Sequence, residues 1–515
     1  MRQSVEASIQ KATKLHKRGN SVEALDLLKD TKSLYPDNVR LGIRYDAIHA
    51  EVVRSVAGSE PPEEVIAHLK ALHADKKFEL LMRKCEILLE VQPDSSNVWN
   101  MLGAAQLEIK MAAEAEISFK KAITLSPEYV GALINYSKAL NFLGKPSLAI
   151  PPLLKAILLS PEREDAYQSL ASVYHAMNRD DEAEKFALKA LEINANYTDA
   201  KNILGLVKLR QQKFTEGWRL AETRFDKDFW DVQFKPKLDK PEWNGEHVET
   251  LFAWAEQGVG DEAMFASCFE DLLKHCDNLI VSATERLIPL FSRSFASPRI
   301  RFVPRSYDSF DFEYDMQIPM MSALGRLRPD TASFENKGLG YLVSNPAQTE
   351  EIKSELRQIA GERPIFGISW FSLATNSSGK KRSVELRQLV KSLPKNAFVV
   401  SLQYGSTHSD IEKVEKELGL KVFSFEAIDN QDDLDGLCSL ICACDHIVSI
   451  DNATVHFAGA LGKRCDLLLP FSANWRWGLN GNKKTVWYDN VRMNWQSSEG
   501  QWRTSLKSLK AQLKA

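Results

Sequence analysis

Two rhythms of apolar and polar positions divide the chain. In the first, small and apolar residues return on a fixed long period. Pro93, Pro127 and Pro161 stand 34 residues apart, and Ala115, Ala149 and Ala183 keep the same interval, as do Ala122, Ala156 and Ala190. In the second, from Glu249 onward, short β-branched and apolar runs alternate with helix-like stretches. The first rhythm predicts stacked helix pairs. The second predicts parallel sheets covered by helices.

The 34-residue copy holding Trp99, Leu102, Gly103, Ala115, Phe119, Ala122 and Pro127 fits the tetratricopeptide pattern at nearly every position. Its small residues let two antiparallel helices approach closely, and each proline marks the turn into the next copy. A weaker copy, with Ala24 and Leu28, ends at Pro36. Between Pro36 and Pro93 the spacing breaks, which predicts a divergent repeat or a longer linking helix. A last copy begins near Tyr197 and holds Leu204 and Gly205. These readings predict an α-solenoid over residues 1–225, with a groove for an extended partner segment. Residues 226–248, rich in Lys, Asp, Pro and Trp without a period, read as a linker in which Trp230 and Trp243 pack on something.

Strands are expected at 250–255, 278–283, 299–303 and 314–318, and again at 365–370, 397–402, 421–424, 445–450 and 465–469. With a connector near 343–363, they make two doubly wound halves, 249–345 and 346–515, whose strand-end loops face a cleft.

Candidate chemistry gathers at those loops. Ser449 to Lys463 reads as strand, tight turn and helix, with Asp451 and Asn452 at the turn. The helix start, at Ala453 and Thr454, aims free N–H groups at whatever lies before it, which suits a nucleotide diphosphate. His456 lies four residues after Asn452, on the same side of the first turn. The same residues also serve a plain βα unit with a capping Asn and a core His. Gly258-Val259-Gly260-Asp261 sits at another strand-to-helix turn. There Asp261 is either a helix cap or a base for an acceptor hydroxyl. Lys380, Lys381 and Arg382 follow a strand end, as a phosphate-binding loop or a solvated charge run. Gln403 follows a further strand and could line a base or sugar pocket. Trp475-Arg476-Trp477 and Trp487-Tyr488 can stack on a ring or clamp the C-terminal segment.

Composition narrows the partners. A net charge of −3 speaks against a general nucleic-acid or membrane-surface partner. Met1 to Asn20 lacks the apolar core of a signal peptide, and no apolar run approaches a membrane span. Seven cysteines are sparse for 515 residues, and Cys438, Cys442 and Cys444 have poor metal spacing. A reduced cytoplasmic protein without a metal site is expected.

The whole chain resembles bacterial tetratricopeptide-repeat glycosyltransferases, whose transferase domain is related to the heptosyltransferases. Glu256-Gln257-Gly258-Val259-Gly260-Asp261 matches the family's E-Q-G-[LV]-G-D. Asp433 to Leu437, Ser449 to Lys463, Leu468-Leu469-Pro470, Trp475-Arg476-Trp477 and Trp487-Tyr488 match in order and spacing, and Arg382-Ser383 resembles the R-S after the basic loop. Asn452 departs, standing where many heptosyltransferases have Thr. The resemblance implies a GT-B fold of two facing Rossmann-like halves and a nucleotide-sugar co-substrate with no further cofactor or metal. It implies Asp261 as catalytic base. It places the donor at Gly258, Gly260, Lys380, Lys381, Arg382, Gln403, Asp451, Asn452, Ala453, Thr454 and His456. Family members include enzymes that glycosylate flagellin in the cytoplasm. The implied activity is therefore sugar transfer to Ser or Thr of a protein, flagellin among the candidates, docked on the repeats. A glycan- or lipopolysaccharide-building transferase and a non-catalytic repeat scaffold are the alternatives.

Overall fold

A computed structural model describes residues 4–55, 60–226, 236–306, 310–334, 340–373 and 377–513. Two compact units divide the chain: Met1–Val173 with Glu192–Asn194, and Tyr174–Leu191 with Ala195–Ala515.

Helices run in pairs as far as Ala221. They are α1 (Val5–Lys17), α2 (Ser21–Leu34), α3 (Val39–Ser55), α4 (Glu63–Ala74), α5 (Phe78–Val91), α6 (Ser96–Glu108), α7 (Ala112–Leu125), α8 (Val130–Phe142), α9 (Pro146–Leu159), α10 (Glu164–Ala176), α11 (Asp180–Ile193), α12 (Thr198–Arg210) and α13 (Phe214–Ala221). The broken spacing between Pro36 and Pro93 holds both a long single helix, α3, and a further pair, α4 and α5. Within the last five pairs, the turn between partners carries one residue at positive φ: Lys76, Lys110, Gly144, Asn178 and Gln212, again 34 apart. Left-handed backbone costs a residue with a Cβ roughly 1–2 kcal/mol. The helix contacts around each turn offset that cost, so glycine is not required there. It is required at Gly103, where an added Cβ would lie 2.7 Å from the buried Phe119 ring. The marker glycine of the repeat is thus the place where α6 touches α7.

The second unit begins earlier than the composition shift at residue 226, because buried side chains of α11 to α13 belong to it. Arg210 donates to Ser472 Oγ at 2.9 Å and to the Ala473 carbonyl at 3.3 Å. Trp218 Nε1 donates to the Arg328 carbonyl at 2.8 Å. These anchors lie more than a hundred residues downstream, so sequence periodicity carries no trace of them. Trp243 is buried against His275, as its packing role requires, whereas Trp230 lies outside the described residues.

Two parallel sheets follow. One has the order β3-β2-β1-β4, from β1 (Val248–Trp254), β2 (Cys276–Ala283), β3 (Ile300–Pro304) and β4 (Met316–Pro319). The other has the order β10-β9-β8-β5-β6-β7, from β5 (Ile365–Ser369), β6 (Phe398–Ser401), β7 (Val422–Ser424), β8 (His446–Ile450), β9 (Cys465–Leu469) and β10 (Val491–Trp495). This is the expected pairing of a tetratricopeptide region with two α/β halves of GT-B type. In the second sheet β5, β6, β8 and β9 are buried along their whole length, as parallel strands covered on both faces are. Each sheet reverses direction once, between β1 and β4 and between β5 and β8. A doubly wound sheet opens a crevice at such a reversal, outside the carboxyl ends of its strands.

Candidate functional site

Both motif turns lie at those reversals. After β1 the chain turns through Glu256, Gln257 and Gly258 into α14 (Val259–Phe265). After β8 it turns through Asp451 and Asn452 into α15 (Ala453–Ala460). The two helices meet at their first turns. A Cβ added at Gly260 would lie 3.1 Å from His456 Cδ2 and 3.2 Å from Ala453 Cα. Any larger residue there would press α15 back by a few tenths of an ångström.

Glu256 closes the first reversal. Its carboxylate accepts from the Met321 backbone at 3.0 Å, just beyond β4, and takes two bonds from Arg224, at 2.7 Å from Nε and 2.9 Å from Nη2. Asp261 does not cap α14. Gly258 is the cap residue, and Asp261 is the third helical residue, 19 % exposed, with its carboxylate ion-paired to Arg476. The plain-cap alternative for Asp261 is therefore corrected: helix phase turns its side chain across to the loop after β9.

Asn452 closes the second reversal. Its Oδ1 accepts from the Thr454 backbone at 3.1 Å, capping α15, and its Nδ2 donates to Ser369 Oγ at 2.7 Å, at the end of β5. Asp451 is buried beside it, with Arg382 Nη1 4.0 Å from its Oδ2. Thr454, only 1 % exposed, has a hydroxyl without a hydrogen-bond partner. His456 is buried, stacked on Trp477 with ring centroids 5.2 Å apart, and its Nδ1 lies 3.0 Å from the Tyr488 hydroxyl. Burial first, then the charges of Arg476 and Arg382, hold its imidazole well below its ordinary value. His456 is neutral at pH 7, so any phosphate contact it makes is a neutral hydrogen bond. Gly459 makes the room for this arrangement, since a Cβ there would fall 2.4 Å from the Tyr488 ring.

The basic stretch is a short helix, Ser377–Arg382, rather than an open loop. Arg382 Nη2 donates to Ser372 Oγ at 2.8 Å, and its Nε is buried without a partner. Lys381 turns away and pairs with Glu499 at 2.6 Å. Asn376 and the side chain of Lys380 lie outside the described residues. Gln403 is buried, and its amide is fully used. Its Oε1 accepts from Ser369 Oγ and the backbones of Trp370 and Phe371, while its Nε2 donates to the carbonyls of Phe371 and Tyr404. It shapes the loop after β5 and has no spare donor for a ligand. Beside it, Tyr404, Gly405, Ser424, Glu426 and Asn430 line a cavity of about 200 Å³ at the ends of β6 and β7.

Three features escaped the residue patterns. Arg476 was visible only between its two tryptophans. Tyr488 and Gly459 complement each other across 29 residues, and Glu256 meets Arg224 over 32. No spacing rule links such pairs. Cys438 and Cys444 are buried free thiols, pushed up by burial, Cys444 to about 12.

The first unit has a separate cavity of about 350 Å³, lined by Lys70, His73, Asn100, Phe119, Asn135 and Lys138 among others. Asn135 Nδ2 donates to Asn100 Oδ1 at 3.1 Å across it.

Residues 96–129 and 164–197 match the tetratricopeptide repeat family. Over 438 residues the chain is 27 % identical to Protein FlbA of Caulobacter vibrioides, covering 81 % of this chain and 67 % of that protein. The helical part is similar to a thermophilic tetratricopeptide protein of Thermus thermophilus, at 17 % identity and a TM-score of 0.30, covering 33 % of this chain and 93 % of that one. It is also similar to YrrB, described as having an unusual peptide-binding site, at 18 % identity and a TM-score of 0.27, covering 35 % and 91 %. Scores this low carry no argument about ligands. No helix among the described residues is long and apolar enough to cross a membrane.

Proposed function

We propose that the second unit is a glycosyltransferase that moves a sugar from a nucleotide-activated donor to a Ser or Thr hydroxyl of a protein, in the cytoplasm. One observation carries this reading: the turns at the two sheet reversals converge, so that Asp261 stands beside the N-terminal turn of α15. In the proposed reaction Asp261 takes the hydroxyl proton as the acceptor oxygen bonds to the sugar carbon. The bond from that carbon to phosphate oxygen breaks, and the nucleoside diphosphate leaves with the electron pair. The N-terminal turn of α15, the Thr454 hydroxyl and Arg382 would meet its charge. The cavity beside Gln403 is of a size for a base or ribose. The repeats would hold the acceptor, and the groove lined by Asn100 and Asn135 offers amide partners to an extended backbone. Flagellin is the acceptor to test first, on the strength of the family resemblance.

The ion pair itself favours a second reading. With its charge met by Arg476, Asp261 could be a strut in a non-catalytic scaffold. Intact-mass spectrometry of flagellin co-expressed with the wild type, with Asp261→Asn, or alone separates the two. A hexose-sized or larger mass increment with wild type only supports transfer. An increment absent from every candidate acceptor, with no hydrolysis of a panel of nucleotide sugars, leaves the scaffold.

A further inference from the structure

Arg476, from the loop after β9, reaches the first turn with its side chain and bears on His456 of α15 through its charge. Its Nη2 is ion-paired with Asp261 and lies 3.3 Å from Gln257 Oε1. Its Nε is buried and has no hydrogen-bond partner. The backbone beneath it is fixed. Its carbonyl accepts from Trp487 Nε1 at 3.0 Å, and Arg210 of α12 pins Ser472 and Ala473 just upstream. A rigid loop thus presents a guanidinium that uses only one edge of its fork.

Across the start of α15, Arg382 repeats the situation, 4.0 Å from Asp451 and with its own Nε unpartnered. The buried hydroxyl of Thr454, in the first turn of α15, is also unpartnered. Three buried polar groups around the two motif turns are thus unsatisfied, and the two that belong to arginines each lie on a side chain paired with a carboxylate, so the charges balance only provisionally. A guanidinium fork fits two phosphate oxygens better than a single carboxylate oxygen, and a diphosphate carries more charge.

We propose that Arg476 is a switch between donor and base: it pairs with Asp261 while the donor site is empty and transfers to the donor's diphosphate when that binds, releasing Asp261. This rests on the glycosyl-transfer reading above. While the pair is made, the guanidinium occupies a carboxylate oxygen that would otherwise face the acceptor hydroxyl. Release therefore frees that oxygen only when a donor is in place. No bond to carbon forms or breaks in this step; one ion pair is exchanged for another.

A double-mutant cycle read by calorimetry tests the exchange. Full-length wild type, Asp261→Asn, Arg476→Gln and the double variant are titrated with UDP, GDP, CDP, ADP and dTDP, and melting curves confirm folding. With the diphosphate that wild type prefers, Arg476→Gln should weaken binding tenfold or more, since bonds to charged groups are worth about that factor. Asp261→Asn should tighten binding about fivefold or more, because the competing carboxylate is gone. In the Arg476→Gln background the same substitution should do nothing. If wild type binds and Asp261→Asn leaves affinity unchanged or lower, the two do not compete for Arg476 and the switch is overturned. If Arg476→Gln does not fold, Arg476→Met, which keeps an apolar stem of similar length without the charge, takes its place with the same expected pattern. If wild type binds none of the five, the donor reading falls, and the switch with it.

Discussion

Glu256 and Asp261 occupy one turn, five residues apart, and each holds an arginine. The two pairs behave differently because of what else the arginines touch. Arg224 is 6 % exposed and Glu256 7 %. Arg224 gives both Nε and Nη2 to the carboxylate, a further Nη2 bond to Ser322 and Nη1 bonds to Ala221 and Glu222, and Glu256 accepts from Met321 as well. Every site is spent. Arg476 is 11 % exposed, binds Asp261 through one nitrogen and leaves its Nε bare. The lesson is that saturation, more than burial or charge, separates a strut from a group able to change partners. A fully satisfied buried pair loses by any rearrangement, while a half-satisfied one gains when a better anion arrives.

The sharpest way to break the contrast is to remove each carboxylate. Glu256→Ala breaks a buried ion pair and strips two nitrogens of Arg224 of their carboxylate, with only the half-exposed Glu222 left to meet the charge, which costs about 3–5 kcal/mol. We expect a fall of that size in the unfolding free energy of the second unit, measured by urea denaturation. A loss under about 1 kcal/mol would mean that Arg224 finds other partners and is no strut. Asp261→Asn should do the opposite. Melting temperature stays near wild type, while sugar transfer falls at least about a hundredfold, or some 2.7 kcal/mol in the barrier. More than about a tenth of wild-type turnover, in a chemistry-limited step, would show that the base lies elsewhere.

Gly459→Ala tests whether the α15 side is as rigid as this comparison requires. The new methyl would meet the Tyr488 ring, which is buried and packed by His456. Overpacking of that kind costs about 1–3 kcal/mol. Differential scanning calorimetry should show the loss, and diphosphate affinity should fall with it as His456 is displaced. An unchanged melting temperature would mean that Tyr488 can move aside freely.

The repeats, the two α/β halves and both motif turns were legible because each is local. A 34-residue period, a β-branched run or a glycine beside an Asx residue fits within one element and its neighbour. What was not legible is pairing at a distance. The Arg476–Asp261 contact spans 215 residues, and Arg210 reaches Ser472 across 262. The last helix pairs read as solenoid by period, yet their buried arginines and Trp218 tie them to the sheets, so the compact units part near Tyr174 rather than at 226. Edge strand β10 escaped for a related reason. Its polar Arg492 and Asn494 break the apolar pattern, and only the buried Asp466 of β9, which accepts from both, explains them. At the candidate site, Gln403 and Lys381 carried the right chemistry by type, but their hydrogen-bond capacity goes to the loop after β5 and to Glu499.

The smallest effect distinguishes the two arginines through His456, which feels the charge of Arg476. His456 is kept neutral by burial and then by Arg476 and Arg382, so its imidazole titrates well below the ordinary 6.5. The unfolded chain takes up that proton as pH falls through 6.5, and the folded protein does not. Stability is therefore full above that value and is lost on acidification, by at most about 1.4 kcal/mol per pH unit for one such histidine. His175, lowered by burial and by Arg210, adds a slope of the same sign. Melting temperature should thus fall between pH 7 and 5, and His456→Asn should remove about half of the slope. Arg476→Gln should remove a smaller share, since it lifts one of the two charges that repel the proton. Substitution of the saturated pair at Arg224 should change the height of the curve and leave its slope alone. A slope that His456→Asn does not alter would mean that the imidazole takes up its proton in the folded state, with Arg476 too far away to prevent it.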